Sequence, residues 1–175
     1  MRSVMVAMAS LCLCFVGCYY EAPLAEPSGI AIDPNLLGTW RLTIAGASST
    51  EYEAEMIVLK RSEKEYLFHF PDEEKPEYHR GYPIKVAGIS CIQIESLGDT
   101  ADPKAPVKPD RFNVVTCDLK GDKLVVSLLD SRCLPQSAAK RNTEEFQREF
   151  AKKKDRRDLF VEIWRLQRQK PLTRR

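Results

Sequence analysis

Two histidines and six cysteines are the side chains best suited to chemistry in this chain. His69 lies between Phe68 and Phe70, and His79 follows Tyr78 ahead of Arg80 and Gly81. Neither stands at ligand spacing from another His or Cys, so both read as strand-face residues and no metal site is expected. The sequence contains no HExxH, no GxSxG and no GxGxxG. Those absences remove the ordinary metalloprotease, serine-hydrolase and dinucleotide signals. The acidic pair Glu73 and Glu74 falls in a turn region. It reads as solvated charge rather than as paired catalytic carboxylates. No catalytic residue and no cofactor is expected, and the chain reads as non-enzymatic.

Three of the cysteines, Cys12, Cys14 and Cys18, stand in or just after an apolar N-terminal run. The other three are Cys91, Cys117 and Cys133, and no two of these have CxxC spacing. Cys91 and Cys117 fall in strands joined by one long loop. A disulfide between them would close a loop of about 27 residues and contribute roughly 3 kcal/mol. The alternatives are two buried free thiols, or a bond between Cys117 and Cys133.

Residues 1–17 hold a single charge, Arg2, followed by an apolar run from Val4 to Gly17. That anatomy is a secretory signal, and the run is short for a spanning helix, which needs about 20 apolar residues. Val16-Gly17-Cys18 resembles the end of a bacterial lipobox. The resemblance implies cleavage before Cys18, a diacylglyceryl group on its sulfur and a further acyl chain on its amine. Membrane anchoring would follow, because each buried CH2 contributes about 0.8 kcal/mol. Tyr19 stands where inner-membrane lipoproteins often carry Asp, so the resemblance favours the outer membrane of a bacterial envelope. The other reading is an ordinary secretory signal with an incidental cysteine.

The elements that follow are mostly strands. Residues 18–33 carry Pro23, Pro27 and Gly29 and read as a tether, which could extend about 50 Å. Residues 34–170 read as one domain and residues 171–175 as a basic tail. Pro34 would start a short turn capped by Asp33. Alternating patterns then mark strands at Trp40–Ile44, Glu51–Val58, Glu65–Phe70, Tyr78–Val86, Ile89–Ser96, Phe112–Leu119, Lys123–Leu129 and Leu159–Gln167. Gly121-Asp122 makes the clearest hairpin, and residues 97–110 form a Pro-rich loop. Asn142 and Glu145 resemble a capping box, and Phe146 and Phe150 form one stripe of a helix ending near Lys154. The expected fold is mainly β: about eight antiparallel strands in an up-and-down barrel, with one helix before the last strand. That last strand is the natural partner of the Trp40 strand, which would close the sheet. Tyr52, Met56, Val58, Phe68, Phe70, Tyr82 and Ile84 are expected to face inward. They could line a ligand cavity or fill the interior solid.

Leu37-Gly38-Thr39-Trp40 resembles the Gly-x-Trp signature that opens the first strand of lipocalin-like barrels. The resemblance implies that Gly38 and Trp40 plug one end of the barrel, with a basic residue stacked on the indole. Arg132 and Arg165 are the candidates for that stacking.

The formal charge is +2, and loss of Arg2 with residues 1–17 leaves +1, too balanced to suggest nucleic acid as a partner. From Lys152 onward there are ten Lys or Arg against three acids. That region could touch anionic headgroups or simply be a solvated helix end and tail. The expected function is a membrane-anchored lipoprotein whose barrel binds a small apolar ligand or an envelope partner. The alternative is a structural or assembly lipoprotein with a solid core.

Overall fold

The computed structural model describes residues 20–43, 54–71, 75–98, 112–134 and 142–169. Cys18, Tyr52, Glu73, Glu74, the greater part of the Pro-rich loop and the tail lie outside them.

Eight strands form a closed antiparallel barrel in simple sequence order. They are β1 (Gly38–Thr43), β2 (Glu55–Ser62), β3 (Glu65–Phe70), β4 (Glu77–Val86), β5 (Ile89–Gly98), β6 (Phe112–Lys120), β7 (Lys123–Leu129) and β8 (Phe160–Arg168). A helix, α1 (Thr143–Lys153), precedes β8. The closing contact is the expected one: β8 pairs with β1, setting Arg168 opposite Trp40 and Leu166 opposite Leu42. Closure leaves no free edge to recruit another strand.

The tight turns lie at one end of the barrel. The turn from β4 to β5 uses Ala87 (φ 51°) and Gly88 (φ 88°), the two left-handed residues of a two-residue hairpin. The Asn142 side chain accepts a hydrogen bond from the Glu145 amide at 3.1 Å, one arm of the expected capping box. Glu144 and Glu145 in the first turn, with Lys152 and Lys153 in the last, complement the helix dipole.

The apolar side chains divide into two clusters separated by the barrel wall. The inner cluster includes Trp40, Met56, Val58, Tyr66, Phe68, Ile92, Ile94, Val115, Leu124, Val126 and Leu166. The outer cluster gathers Tyr82, Ile84, Val86, Cys91, Phe112, Val114 and Leu129 with Tyr20, Leu24, Phe146, Phe150 and Leu159. Tyr82 and Ile84 were therefore assigned to the wrong face. Phe68 pairs with His79 and Tyr66 with Gly81, so β4 turns His79, Gly81 and Pro83 inward. Alternation sends Tyr82 and Ile84 outward. Gly81 is required inside, because a Cβ there would stand 2.4 Å from the Phe68 ring.

A register slip in β8 has a similar effect. Val126 pairs with Trp164 but Ser127 pairs with Glu162, leaving one extra residue on β8. Such a bulge flips the alternation. Phe160 thus reaches the outer cluster, 6.2 Å from Phe150 between ring centres, while Leu166 fills the interior.

The segment expected to be a tether is, from Tyr20 onward, a strap laid on the barrel. Tyr20 and Phe112 exchange two backbone hydrogen bonds of 2.9 Å. The Leu24 amide donates to Gln93 Oε1 at 2.9 Å, and Ser28 Oγ donates to the Pro83 carbonyl at 3.1 Å. The Ile32 amide reaches Glu63 O at 3.0 Å, and the Asp33 amide reaches the Tyr66 hydroxyl at 2.7 Å. Tyr20, Ala22 and Leu24 are buried. The prolines and glycine broke every period in this stretch, but they mark an irregular path rather than a free one. The packed body thus includes residues 20–33 rather than starting at Pro34.

Candidate functional site

The end of the barrel with tight turns is sealed by Trp40. Its ring is wholly buried, and its Nε1 donates to the Leu36 carbonyl at 3.0 Å. That carbonyl ends the short 3-10 turn Pro34–Leu36, which Asp33 caps by accepting from the Asn35 amide. The stacking cation is Arg168, not Arg132 or Arg165. Its guanidinium carbon lies 4.2 Å from the centre of the Trp40 ring. One nitrogen donates to the Leu37 carbonyl at 2.7 Å, and the other donates to the Asn35 carbonyl. Gly38 stands at φ 131°, and a Cβ on it would come 2.9 Å from the Arg168 nitrogen. A single glycine therefore provides both the backbone conformation and the space for the guanidinium.

The two arginines named from the sequence are engaged elsewhere. Arg165 pairs with Glu162 on the exposed side of β8 at 2.5 Å. Arg132 grips Asp130 with bonds of 3.0 and 2.7 Å, which holds the Asp130 carboxyl below the usual range. Arg168 could have been found by pairing the last strand with the first and counting register from Trp40. The C-terminal cluster of basic residues masked it.

Among the described residues the interior is well filled: the cavity at its centre amounts to about 20 Å³, lined by Met56, Phe68, Phe70, His79, Cys117 and Trp164 among others. That is room for about one water molecule. Phe70, half-buried, lies towards the second end, with its ring 5.5 Å from both His79 and Trp164.

The histidines do not converge. His79 is buried inside the barrel, its Nε2 3.6 Å from a Glu77 carboxylate oxygen. His69 pairs with Tyr78 on the opposite face, where the rings stack at 4.5 Å. Among the described residues no group of three or more His, Cys, Asp or Glu is placed to hold a metal ion.

Cys91 and Cys117 do not form the disulfide. Ile92 pairs with Val115, and the alternation places Cys91 in the outer cluster and Cys117 with the inner one. Thiols on opposite faces of a strand pair cannot be bridged. Cys133 is also free, with its sulfur 3.4 Å from the Asp158 carbonyl. Burial pushes the Cys91 and Cys117 thiols up to about 12, so neither is a nucleophile at neutral pH. The expected result of thiol titration on the folded protein lacking residues 1–18 is slow labelling. Three equivalents should react once it is unfolded without reductant. Only one equivalent would mean a disulfide.

A polar cluster that the sequence did not announce lies under the strap. Glu95 is buried on the outer face of β5, 3.2 Å from the Arg80 guanidinium, which also lies 3.6 Å from Glu65. Burial raises the Glu95 carboxyl, and Arg80 offsets this only in part. Tyr82 reaches past it to donate to the Ala25 carbonyl at 3.3 Å.

No helix among the described residues is long and apolar enough to cross a membrane. Comparison with protein-family models, with curated proteins and with solved structures finds no match for this chain.

Proposed function

We propose that this protein is a lipid-anchored component of the bacterial cell envelope whose barrel is a filled, non-catalytic scaffold that docks with other envelope components. The observation that carries this reading is the interior. A ligand pocket needs roughly 300 Å³ or more, and the cavity inside the barrel, among the described residues, is about 20 Å³. The size of that space favours the scaffold over carriage of a small apolar ligand. The anchor rests on Val16-Gly17-Cys18 and its resemblance to a lipobox, with Tyr19 favouring the outer membrane. The stack of Arg168 on Trp40 supports the lipocalin-like resemblance, extending it from four residues to the way one end is sealed.

Native mass spectrometry of protein purified from its own membrane tests this. The expected spectrum has Cys18 as the first residue, diacylglyceryl and a third acyl chain attached, and no co-purifying small molecule. Cys18→Ser should leave an unprocessed or soluble protein. A stoichiometric apolar ligand would overturn the scaffold reading, and a membrane-bound, processed Cys18→Ser variant would overturn the anchor.

A further inference from the structure

The strap fixes where the anchor leaves the body. Tyr20 is held at three points: its backbone is paired with Phe112, its hydroxyl donates to the Leu129 carbonyl at 3.3 Å, and its ring lies 4.7 Å from that of Phe146. Phe112 starts β6 and Leu129 ends β7, so all these contacts lie at the end of the barrel opposite Trp40. Between Cys18 and Tyr20 there is only Tyr19. Two residue steps span at most about 7 Å. The strap then runs the length of the wall to Asp33 beneath Tyr66, so it cannot lengthen the link without breaking the contacts that bury Tyr20 and Leu24.

We propose that the barrel is mounted flush on a lipid bilayer, with the Tyr20, Phe112 and α1 end against the headgroups and the Trp40 end turned away. The inference rests on acylation of Cys18, which would place that residue at headgroup level. A link of about 7 Å holds the attached end within contact of the surface. The ten-residue β4 and β5, tilted as barrel strands are, then hold the opposite end about 25 Å out. The surface presented to partners is accordingly the end with the hairpin turns at Gly88 and Gly121, the 3-10 turn and Arg168.

The test uses acylated full-length protein, reconstituted in vesicles of phosphatidylethanolamine and phosphatidylglycerol carrying a headgroup acceptor dye. A donor is placed at exposed Arg148 on α1, or at exposed Lys123, the first residue of β7, through an azide-bearing amino acid. With a short-range donor–acceptor pair, transfer at position 148 should exceed that at 123 by about threefold or more, given a barrel about 25 Å tall. A flexible Gly-Ser insert of about ten residues after Tyr19 should erase the difference. Mass spectrometry of the same sample separates the two claims. Protein without acyl chains overturns the anchoring reading. Acylated protein with equal transfer at the two positions, or with more at 123, overturns the flush mount. So does a difference that survives the insert.

Discussion

Replacing Trp40 with alanine is expected to lower the unfolding free energy by about 3–5 kcal/mol, the usual cost of deleting a buried aromatic ring. In urea that is a midpoint shift of about 2 M for a typical denaturant slope. The indole is wholly buried and touches three separate parts of the chain. It donates to the Leu36 carbonyl, supports the Arg168 guanidinium and contributes to the inner cluster. Its loss leaves a cavity beneath a partly buried cation and leaves the Leu36 carbonyl without its donor, at the seam where β1 meets β8. Arg168→Ala should cost less, on the order of 1.5–3 kcal/mol, because hydrogen bonds from a charged group contribute about that much. Arg168→Lys should recover little of it. Lysine keeps the charge but cannot serve the Asn35 and Leu37 carbonyls with one planar fork. A Trp40→Ala protein that melts within about 1 kcal/mol of the parent would show that the closed end contributes no more than an ordinary surface contact.

The fold was legible where one physical rule governs a stretch. Alternation marked all eight strands, Gly121-Asp122 marked a hairpin, and Asn142, Phe146 and Phe150 marked α1. The end plug was legible at Gly38 and Trp40 only through the resemblance of Leu37-Gly38-Thr39-Trp40 to a Gly-x-Trp opening, not through periodicity. The misreadings share a cause. Periodicity says which residues share a face, but not which face is inside. Tyr82 and Ile84 form an apolar row in β4, and a barrel interior is the default place for such a row. Here the row belongs to a second core built on the outer wall, and the smaller His79, Gly81 and Pro83 face in. The second core was invisible because its cover comes from Tyr20–Leu24 and α1, two segments far apart in sequence. The Cys91–Cys117 disulfide failed for the same reason. Two strands joined by a loop give proximity, yet the parity of the register decides whether two side chains meet. Arg168 was hidden among the ten basic residues of the C-terminal region, and only the β1–β8 register singles it out.

Phe146→Ala should separate the two cores. Phe146 is wholly buried between the strap and the wall, with the Tyr20 ring 4.7 Å away. Truncation removes the side chain that joins α1 to the strap, again with a local cost of about 3–5 kcal/mol. That cost need not fall on the whole barrel. The inner cluster makes its contacts through β1–β8 and has no part in the Phe146 site. Regions that few buried contacts hold open at lower free energy than the global transition. Amide exchange at Tyr20, Leu24 and residues 143–153 should therefore accelerate by roughly 10²–10³-fold or more, since each 1.4 kcal/mol is a factor of ten. Amides of Trp40, Val58 and Val126 should stay near their parent rates. Uniform acceleration throughout the chain would mean that strap, helix and barrel unfold as one unit. Unchanged rates everywhere would mean that Phe150 and Leu159 alone hold the cover in place. The expected split matters for the proposed anchor, because an opened strap would lengthen any link from an acylated Cys18. A body freed as far as Asp33 gains the reach of about 50 Å that an unbound tether of this length would have. In acylated protein, the same substitution should then loosen the barrel from the membrane surface without unfolding it.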